Sequence, residues 1–357
     1  MEAKEYLVWY KKSSQKYADK FLKKWQREAG EDSQISKEMV VKFIDLYPRG
    51  KMLRGALSVL GYQVAGGEDL KEMLKASIVM ELMETSILIA DDIFDRDEIR
   101  RGIPTIHRQW QDKLQVTSFK LQDRIHYGNS MAQITSIFGF HLIPLVLVET
   151  RFTREIKEKA LSFYCQGLIK TAFGEALDIS SSWQDVKEKQ LSSQQIHDAK
   201  TVWYSAILPL TFGAILAGKK DDKWFLDLKQ YAQILGRIFQ IQDDIIGSFG
   251  DPKKTGKSNT SDIADGRWTV LVEILWKKAG KKDREILERV FGKSKRSDSE
   301  IKQVKDLMVK YEVVELARKR AERYLKEGLR IIPKITKNKK YEETMRELLY
   351  FMIKRAK

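Results

Sequence analysis

The stretch LIADDIFDRDEIRRGIPTIH (88–107) places five acidic residues behind an apolar helical lead and follows them at once with two arginines. On an α-helix Asp91 and Asp95 share one face, and Asp92 lies about 100° around the axis from Asp91. At ~6 Å and an effective dielectric constant near 20, each pair of carboxylates repels by about 3 kcal/mol. Such repulsion is more than an ordinary surface helix retains for nothing, which favours a bound cation at the cluster.

A second acidic cluster has the same arrangement. Asp243 and Asp244 follow an apolar run and precede a glycine-rich, lysine-bearing loop in FQIQDDIIGSFGDPKKTGKSNTSDIADGRWT (239–269). Carboxylate oxygens suit Mg²⁺, which commonly bridges protein carboxylates to substrate phosphates, whereas zinc prefers His or Cys. Either pair alone could be a solvated helix face. Two clusters that each precede basic residues favour a metal-bound polyphosphate, with Arg100 and Arg101 completing the charge balance through forked donors.

The composition favours long helices. The 357 residues are 43% apolar and include only six Pro and 21 Gly, while Leu, Ile, Lys and Glu abound. Helical periodicity recurs from about residue 36 to residue 275, and none of its short interruptions resembles an interdomain linker. We expect an all-α protein in which the polar stretch 180–195 is a surface loop.

The charge balance narrows the class of ligand. The chain has 65 basic and 50 acidic residues, a formal net charge of +15, so its surface should attract anions. Lysines are spread along the whole chain rather than interleaved with aromatic residues in one segment, so we predict no nucleic-acid partner.

Cys165 is the only cysteine, so the chain can form no internal disulfide and no cysteine-based zinc site. A single cysteine fits the cytoplasm, and we expect Cys165 in the core.

Two apolar runs, 134–148 and 201–218, are long enough to suggest membrane helices. Both contain polar residues and proline, so we interpret them as buried helices and predict no transmembrane segment. The amino terminus mixes charge into every turn, which is typical of an amphipathic helix and not of a signal peptide. The four histidines lack metal-ligand spacing and are interpreted as structural: His107, His126, His141 and His197.

Taken in chain order, these motifs resemble those of the trans-isoprenyl diphosphate synthases, or polyprenyl synthetases. The family's first aspartate-rich motif is matched by Asp91, Asp92, Asp95, Arg100, Arg101 and Gly102. Its second is matched by Gln240, Asp243, Asp244, Gly256, Lys257, Ser261, Asp262, Gly266 and Thr269. Three further elements are matched by Gly50, Lys51 and Arg54, by Gly174, Glu175 and Asp178, and by Lys200 and Thr201.

The resemblance implies one domain over residues 1–357, with its motifs between about 47 and 275, folded as antiparallel helices around a deep central cavity and usually paired as a homodimer. An allylic diphosphate would bind through about three Mg²⁺. The implied metal ligands are Asp91, Asp92, Asp95, Asp243 and Asp244. The implied diphosphate contacts are Arg100, Lys200 and Lys257 on the allylic side, and Lys51, Arg54 and Arg101, with Phe239 nearby, on the isopentenyl side. Arg267 is a further implied substrate contact.

The chemistry that the resemblance implies is chain elongation. Ionisation of the allylic diphosphate gives a cation, the double bond of isopentenyl diphosphate attacks it, and loss of a proton leaves a chain five carbons longer. Dipoles of Lys200, Thr201 and Gln240 would stabilise the cation while apolar walls exclude water. A product with a long hydrophobic chain could leave the enzyme through peripheral contact with a membrane.

Three positions depart from the family pattern. Gly247 stands where a further Asp is usual, and Arg267 replaces a usual Lys. Glu84 stands where His or Gln usually helps to bind isopentenyl diphosphate. A carboxylate ~5 Å from a diphosphate would cost about 3 kcal/mol at an effective dielectric constant of about 20. We therefore expect Glu84 to be protonated, turned away, or paired with Lys51, Arg54 or Arg101.

The helix before the first motif also predicts product length. One helical turn rises ~5.4 Å, so Ile87 and Met83 lie one and two turns below Asp91 on its face, with Ser86 beside them. The family closes a C15 pocket with aromatic residues at the positions of Ser86 or Ile87, and this chain has none there. We therefore predict products of C20 or longer, with C20 favoured.

Two other functions are considered beside chain elongation. A class I terpene synthase would ionise a preformed prenyl diphosphate and would need no second diphosphate site. This chain has the cations for such a second site: Lys51, Arg54 and Arg101. A non-catalytic partner subunit would be expected to lose the aspartates. Chain elongation is the function that uses every motif.

Overall fold

The computed structural model describes residues 2–188, 191–251, 259–293 and 295–355, and it confirms the predicted all-α fold. The first elements are α1 (Ala3–Asp32), α2 (Gln34–Leu46), a 3₁₀ turn (Tyr47–Arg49), α3 (Leu53–Val64), α4 (Leu70–Phe94), α5 (Ile106–Lys113), α6 (Leu121–Val148) and α7 (Arg154–Ser182). Between α4 and α5, strands β1 (Ile99–Arg100) and β2 (Ile103–Pro104) pair antiparallel.

The remaining helices begin after a second 3₁₀ turn (Val186–Glu188). They are α8 (Ser193–His197), a π-helical segment (Asp198–Ile207), α9 (Leu208–Leu216), α10 (Asp222–Phe249), α11 (Ser261–Ala264), α12 (Val270–Lys278), α13 (Lys281–Phe291), α14 (Asp298–Lys310), α15 (Val313–Ile335) and α16 (Lys339–Ile353). The described residues pack as two compact units. The amino-terminal unit comprises 4–163 and 209–220, and the carboxy-terminal unit comprises 2–3, 164–208 and 221–355.

The core of the amino-terminal unit is built around α4. This helix is apolar on nearly every side, which is the pattern of a helix buried among others, and it packs against α3 and α6. Asp69 caps its first turn by accepting a hydrogen bond from the backbone N–H of Glu72 at 3.0 Å. The end of α4 that carries the first acidic cluster is therefore fixed by a buried, capped helix.

The core of the carboxy-terminal unit is built around α10, which packs against α15, α16 and the π-helical segment. Buried aromatic residues on α10 find polar partners, as large aromatic side chains in cores usually do. Trp224 donates from its indole N–H to the carbonyl of Ile335 at 2.7 Å, and the Tyr231 hydroxyl donates to the carbonyl of Met345 at 2.8 Å. These bonds fix α10, which carries the second acidic cluster, to the two last helices.

Two local expectations are wrong. The predicted loop 180–195 is shorter, because α7 continues to Ser182 and α8 begins at Ser193 with a capping box from Ser192. Cys165 is exposed and not in the core, because it lies on the same face of α7 as the exposed Ile169 and Phe173.

Two helices of the described residues are long and apolar enough to cross a membrane by length and composition. These are Leu121–Val148, whose most apolar window is 44% buried, and Ser193–Leu216, whose window is 72% buried. The second has the burial of a core helix. The first leaves an apolar face uncovered within its unit.

Candidate active site

The first acidic cluster lies where α4 ends. Asp95 is the carboxy-terminal cap, and its N–H donates to the carbonyl of Asp91 at 2.8 Å. Asp92 is only 1% exposed. The Arg100 guanidinium joins the cluster, with Nε donating to Asp92 Oδ1 at 2.5 Å and Nη2 donating to Asp97 Oδ2 at 2.9 Å and to Asp91 Oδ2 at 3.5 Å. One buried arginine therefore holds three of the carboxylates together.

A two-residue hairpin turn brings the arginines to the helix. Arg101 and Gly102 link β1 to β2, and both have positive φ, 54° and 79°. Positive φ at both central positions is what a type I′ hairpin requires. The turn aims Arg100 at the first acidic cluster and lets Arg101 reach Glu84 on α4. The RRG sequence therefore forms the hairpin turn and also supplies two positive charges.

Burial shapes the protonation of the first cluster. It raises the pKa of Asp92 to about 6, although the Arg100 charge opposes the shift and Asp91 and Asp97 add to it. One oxygen of this carboxylate, Oδ2, is buried and has no hydrogen-bond partner. A buried carboxylate oxygen without a donor fits a hard cation that prefers oxygen ligands.

Glu84 is paired, as one of our three expectations required. Its Oε1 contacts Arg54 Nη1 at 2.6 Å and Arg101 Nη2 at 2.9 Å, and Arg101 Nη1 also donates to the carbonyl of Leu46 at 3.3 Å. Burial raises the pKa of Glu84, but the charges of Arg54 and Arg101 outweigh it and hold that pKa below its ordinary value. Lys51 lies exposed just before α3. Two of the three cations predicted for the second diphosphate therefore meet at one carboxylate.

The positions predicted to set product length differ in exposure. Met83 and Ser86 are fully buried, whereas Ile87 is partly exposed. The Ser86 hydroxyl donates to the carbonyl of Leu82 at 2.8 Å, and the Ser86 carbonyl accepts from Ser136 on α6 at 2.8 Å. Ser86 therefore lies in the contact between α4 and α6.

The second acidic cluster combines a buried and a half-exposed aspartate on α10. Asp244 is 3% exposed and accepts hydrogen bonds from Gln240 Nε2 and from the backbone N–H of Val270, both at 2.8 Å. Burial raises its pKa to about 7, against these two hydrogen bonds and with the help of the Asp243 charge. Asp243 instead accepts from Arg355 Nη1 at 2.7 Å.

Arg355, near the end of the chain, is fixed by more than its ion pair. Its guanidinium carbon lies 4.5 Å from the centre of the Phe239 ring, within the range of a cation–π contact. Its carbonyl accepts from Gln242 Nε2 at 2.6 Å. No local pattern in the sequence links Arg355 to Asp243, because the two residues are 112 positions apart.

The π-helical segment positions Lys200 and Thr201. A side chain at Gly174 would meet the Lys200 backbone nitrogen at 2.3 Å, so glycine is what allows α7 and this segment to approach so closely. Lys200 Nζ donates to Glu175 Oε1 at 2.9 Å and to Asp178 Oδ2 at 2.8 Å, and Thr201 is buried. π-Helical turns occur often at functional sites.

Two further predicted positions have clear surroundings. Arg267 Nη1 lies 3.8 Å from Asp178 Oδ2. Asp262 fills the space beside Gly247, because a Cβ built on that glycine would lie 2.3 Å from Asp262 Oδ2. The Asp262 carboxylate of α11 therefore lies directly beside Gly247. Lys257, predicted to contact the allylic diphosphate, lies outside the described residues.

Within 2–188, 191–251, 259–293 and 295–355, no three His, Cys, Asp or Glu side chains are already gathered to hold a metal ion. Two of the proposed ligands are instead ion-paired, Asp92 with Arg100 and Asp243 with Arg355. The donors present are carboxylate oxygens, which fit Mg²⁺ better than zinc.

Comparison with known proteins gives one consistent result. A family model described as "Polyprenyl synthetase" matches residues 35–308. The chain is 30% identical over 312 residues to a geranylgeranyl diphosphate synthase of Saccharolobus solfataricus, covering 86% of this chain and 87% of that protein. It is 29% identical over 314 residues to a geranylfarnesyl diphosphate synthase of Aeropyrum pernix, covering 86% and 91%.

Solved structures share the fold. A geranylgeranyl pyrophosphate synthase of Corynebacterium glutamicum, complexed with isoprenyl diphosphate and magnesium, superposes with a TM-score of 0.86 at 22% identity, covering 99% of this chain and all of that one. A geranylgeranyl pyrophosphate synthetase of Pyrococcus horikoshii gives 0.76 at 23% identity, covering 98% of each chain.

Proposed function

The chain belongs to the polyprenyl synthetase family and is a trans-prenyltransferase, and on that premise we propose that it adds isopentenyl diphosphate to an allylic diphosphate and releases geranylgeranyl diphosphate. Elongation to C20 or longer agrees with its curated relatives. We infer a product length of C20 from the absence of aromatic residues at positions 86 and 87, which are Ser86 and Ile87.

The observation that carries the proposal is the meeting of Arg54 and Arg101 at Glu84. Together with the exposed Lys51, these residues supply cations for a second diphosphate that are separate from Arg100 and the first acidic cluster. An enzyme that only ionises one prenyl diphosphate has no use for them. Elongation requires them, because isopentenyl diphosphate brings a second diphosphate that the enzyme must bind.

The carboxylates proposed to hold Mg²⁺ are all on two helices, α4 with its cap and α10. When bound, about three Mg²⁺ would supply the positive charge that the diphosphate leaving group requires. The ligands would be Asp91, Asp92, Asp95, Asp243 and Asp244. The unpartnered Oδ2 of Asp92 is the described atom that most directly supports this assignment.

The chain's own cations would orient the allylic diphosphate. Arg100, Lys200, Lys257 and Arg267 are proposed to bind it, with Glu175 and Asp178 holding Lys200 in place until the substrate arrives. As the carbon–oxygen bond breaks, Thr201 and Gln240 would direct oxygen dipoles at the allylic cation. The double bond of isopentenyl diphosphate, bound beside Phe239, attacks that cation, and the released diphosphate takes up the departing proton.

We further propose a cytoplasmic homodimer of single-domain chains. The support is a stripe of exposed apolar residues along α6: Ile134, Ile137, Leu145 and Val148, exposed by 50%, 55%, 38% and 69%. Burying such a stripe against a second copy would remove apolar surface from water. We also propose that the product leaves through brief contact with a membrane and that the protein has no nucleic-acid partner.

The test uses purified protein, Mg²⁺, farnesyl diphosphate and labelled isopentenyl diphosphate. We expect labelled geranylgeranyl diphosphate. Unlabelled hydrocarbons or alcohols would instead identify a terpene synthase, and no turnover would identify a partner subunit. Either of those results would overturn the proposal.

A further inference from the structure

A second carboxylic acid lies beside Glu84. Glu81 is one turn earlier on α4, is 2% exposed, and accepts a hydrogen bond from the backbone N–H of Gly55 at 2.6 Å. Glu84 meanwhile holds the side chain of Arg54, the residue before Gly55. The two acids therefore contact consecutive residues at the start of α3, and they lie three positions apart on neighbouring turns of α4.

The charged and titratable groups that face these acids come from four elements. Arg54 belongs to α3 and Arg101 to the hairpin turn, while Tyr10 of α1 and Tyr47 of the 3₁₀ turn are buried phenols whose pKa values are raised, chiefly by burial. Tyr10 is within hydrogen-bond distance of Ser77, at 3.1 Å. With both phenols neutral, the cluster contains two fixed positive charges and two carboxyl groups.

Two buried carboxyl groups so close on one helix disfavour a second negative charge, and the surroundings decide which group keeps a proton. Glu84 lies between two guanidinium groups, which favour its ionised form. Glu81 is buried and adjacent to the Glu84 charge, and both causes raise its pKa, to about 8. Glu81 is therefore the acid that keeps its proton, and Glu84 is the ionised one.

We propose that Glu81 is a positioning residue for isopentenyl diphosphate, because the proton that it keeps leaves the Arg54–Arg101 pair with a net positive charge. This inference rests on the proposed function. With Glu81 protonated, the two arginines and Glu84 sum to +1. With Glu81 ionised, the cluster sums to zero and no longer attracts a diphosphate. The proton also explains how the chain tolerates an acid at position 84.

The expected consequence is an alkaline loss of isopentenyl diphosphate binding that depends on Glu81. As pH rises through about 8, Glu81 loses its proton and the Michaelis constant for isopentenyl diphosphate rises, by up to roughly tenfold per pH unit. Ionisation of Glu81 should leave the Michaelis constant for farnesyl diphosphate unchanged, because that diphosphate is proposed to bind away from Arg54 and Arg101.

The test is to measure both Michaelis constants from about pH 6.5 to about pH 9.5 in the wild type and in Glu81→Gln. Glutamine can still accept from the Gly55 N–H, but it cannot ionise. We expect the alkaline rise for isopentenyl diphosphate in the wild type and its loss in Glu81→Gln. A flat wild-type profile, or the same rise in the variant, overturns the inference.

A second measurement stays decisive if Glu81→Gln does not fold. Binding of isopentenyl diphosphate alone to the wild type at about pH 8.5 should take up protons, seen by calorimetry in two buffers with different ionisation enthalpies. Binding without proton uptake overturns the inference and leaves the elongation function intact. Failure to incorporate labelled isopentenyl diphosphate at any pH instead overturns the function, so the two failures are distinguishable.

Discussion

At the scale of single residues, Glu84 determines how strongly the second diphosphate is attracted. Its carboxylate neutralises one of the two arginines that it contacts. We expect Glu84→Gln to lower the Michaelis constant for isopentenyl diphosphate. The upper limit is about 3 kcal/mol, roughly two powers of ten, and pairing with arginine should reduce the gain. Steady-state kinetics with isopentenyl diphosphate as the varied substrate measures it.

The matched control for this variant is Glu72→Gln. Glu72 is also buried on α4 and paired with a lysine and an arginine, Lys75 and Arg151, but it lies near the other end of the helix. Both variants should lose stability, because a buried ion pair loses one partner. Only Glu84→Gln should tighten binding, so an unchanged or raised Michaelis constant in that variant contradicts our interpretation.

Glu81 also links stability to pH. Its pKa in the folded protein, about 8, lies above the ordinary value of 4.5, so the folded state binds the extra proton. The stability associated with that proton is full below about pH 4.5 and is lost as pH rises through about 8. We expect Glu81→Gln to gain stability relative to the wild type as pH rises. The difference in unfolding free energy should be larger at about pH 9 than at about pH 6, by a few kcal/mol. Urea unfolding at both values checks this, and an equal difference at both would be evidence against it.

At the scale of elements, α4 connects the metal cluster to product length. An aromatic residue at position 86 or 87 should close the space for the growing chain and shorten the product. Ser86 also lies against α6, since a Cβ on Gly139 would meet its hydroxyl oxygen at 2.1 Å. We therefore expect Ser86→Phe to shorten the product and also to lose stability through overpacking, by about 1–3 kcal/mol.

Ile87→Phe separates these two effects, because Ile87 is partly exposed where Ser86 is buried. We expect it to shorten the product with a smaller loss of stability. Chromatography of the dephosphorylated products and thermal unfolding of both variants give the result. The wild-type product distribution from both variants would remove the argument for C20.

The same elements show how far sequence reasoning reaches. The acidic clusters and the helices that carry them could be predicted, because each depends on residues within two turns of one another. The π-helical register of 198–207 could not, because it depends on how closely Gly174 lets another helix approach. The pairing of Arg355 with Asp243 joins residues 112 positions apart and has no local signal. Likewise, the exposure of Cys165 depends on which face of α7 stays uncovered.

At the scale of the whole molecule, the exposed stripe on α6 predicts self-association. Ile137 lies near the middle of the stripe and is 55% exposed. A charge there would have to be buried against apolar surface in a dimer, which is costly without a partner. We expect Ile137→Asp to be a monomer near 41.6 kDa, and the wild type to have about twice that mass. Val309→Asp, at a 66% exposed apolar position on α14, should remain dimeric. Light scattering after size-exclusion chromatography gives the masses, and a monomeric wild type or a dimeric Ile137→Asp would refute the assignment of this stripe as the interface.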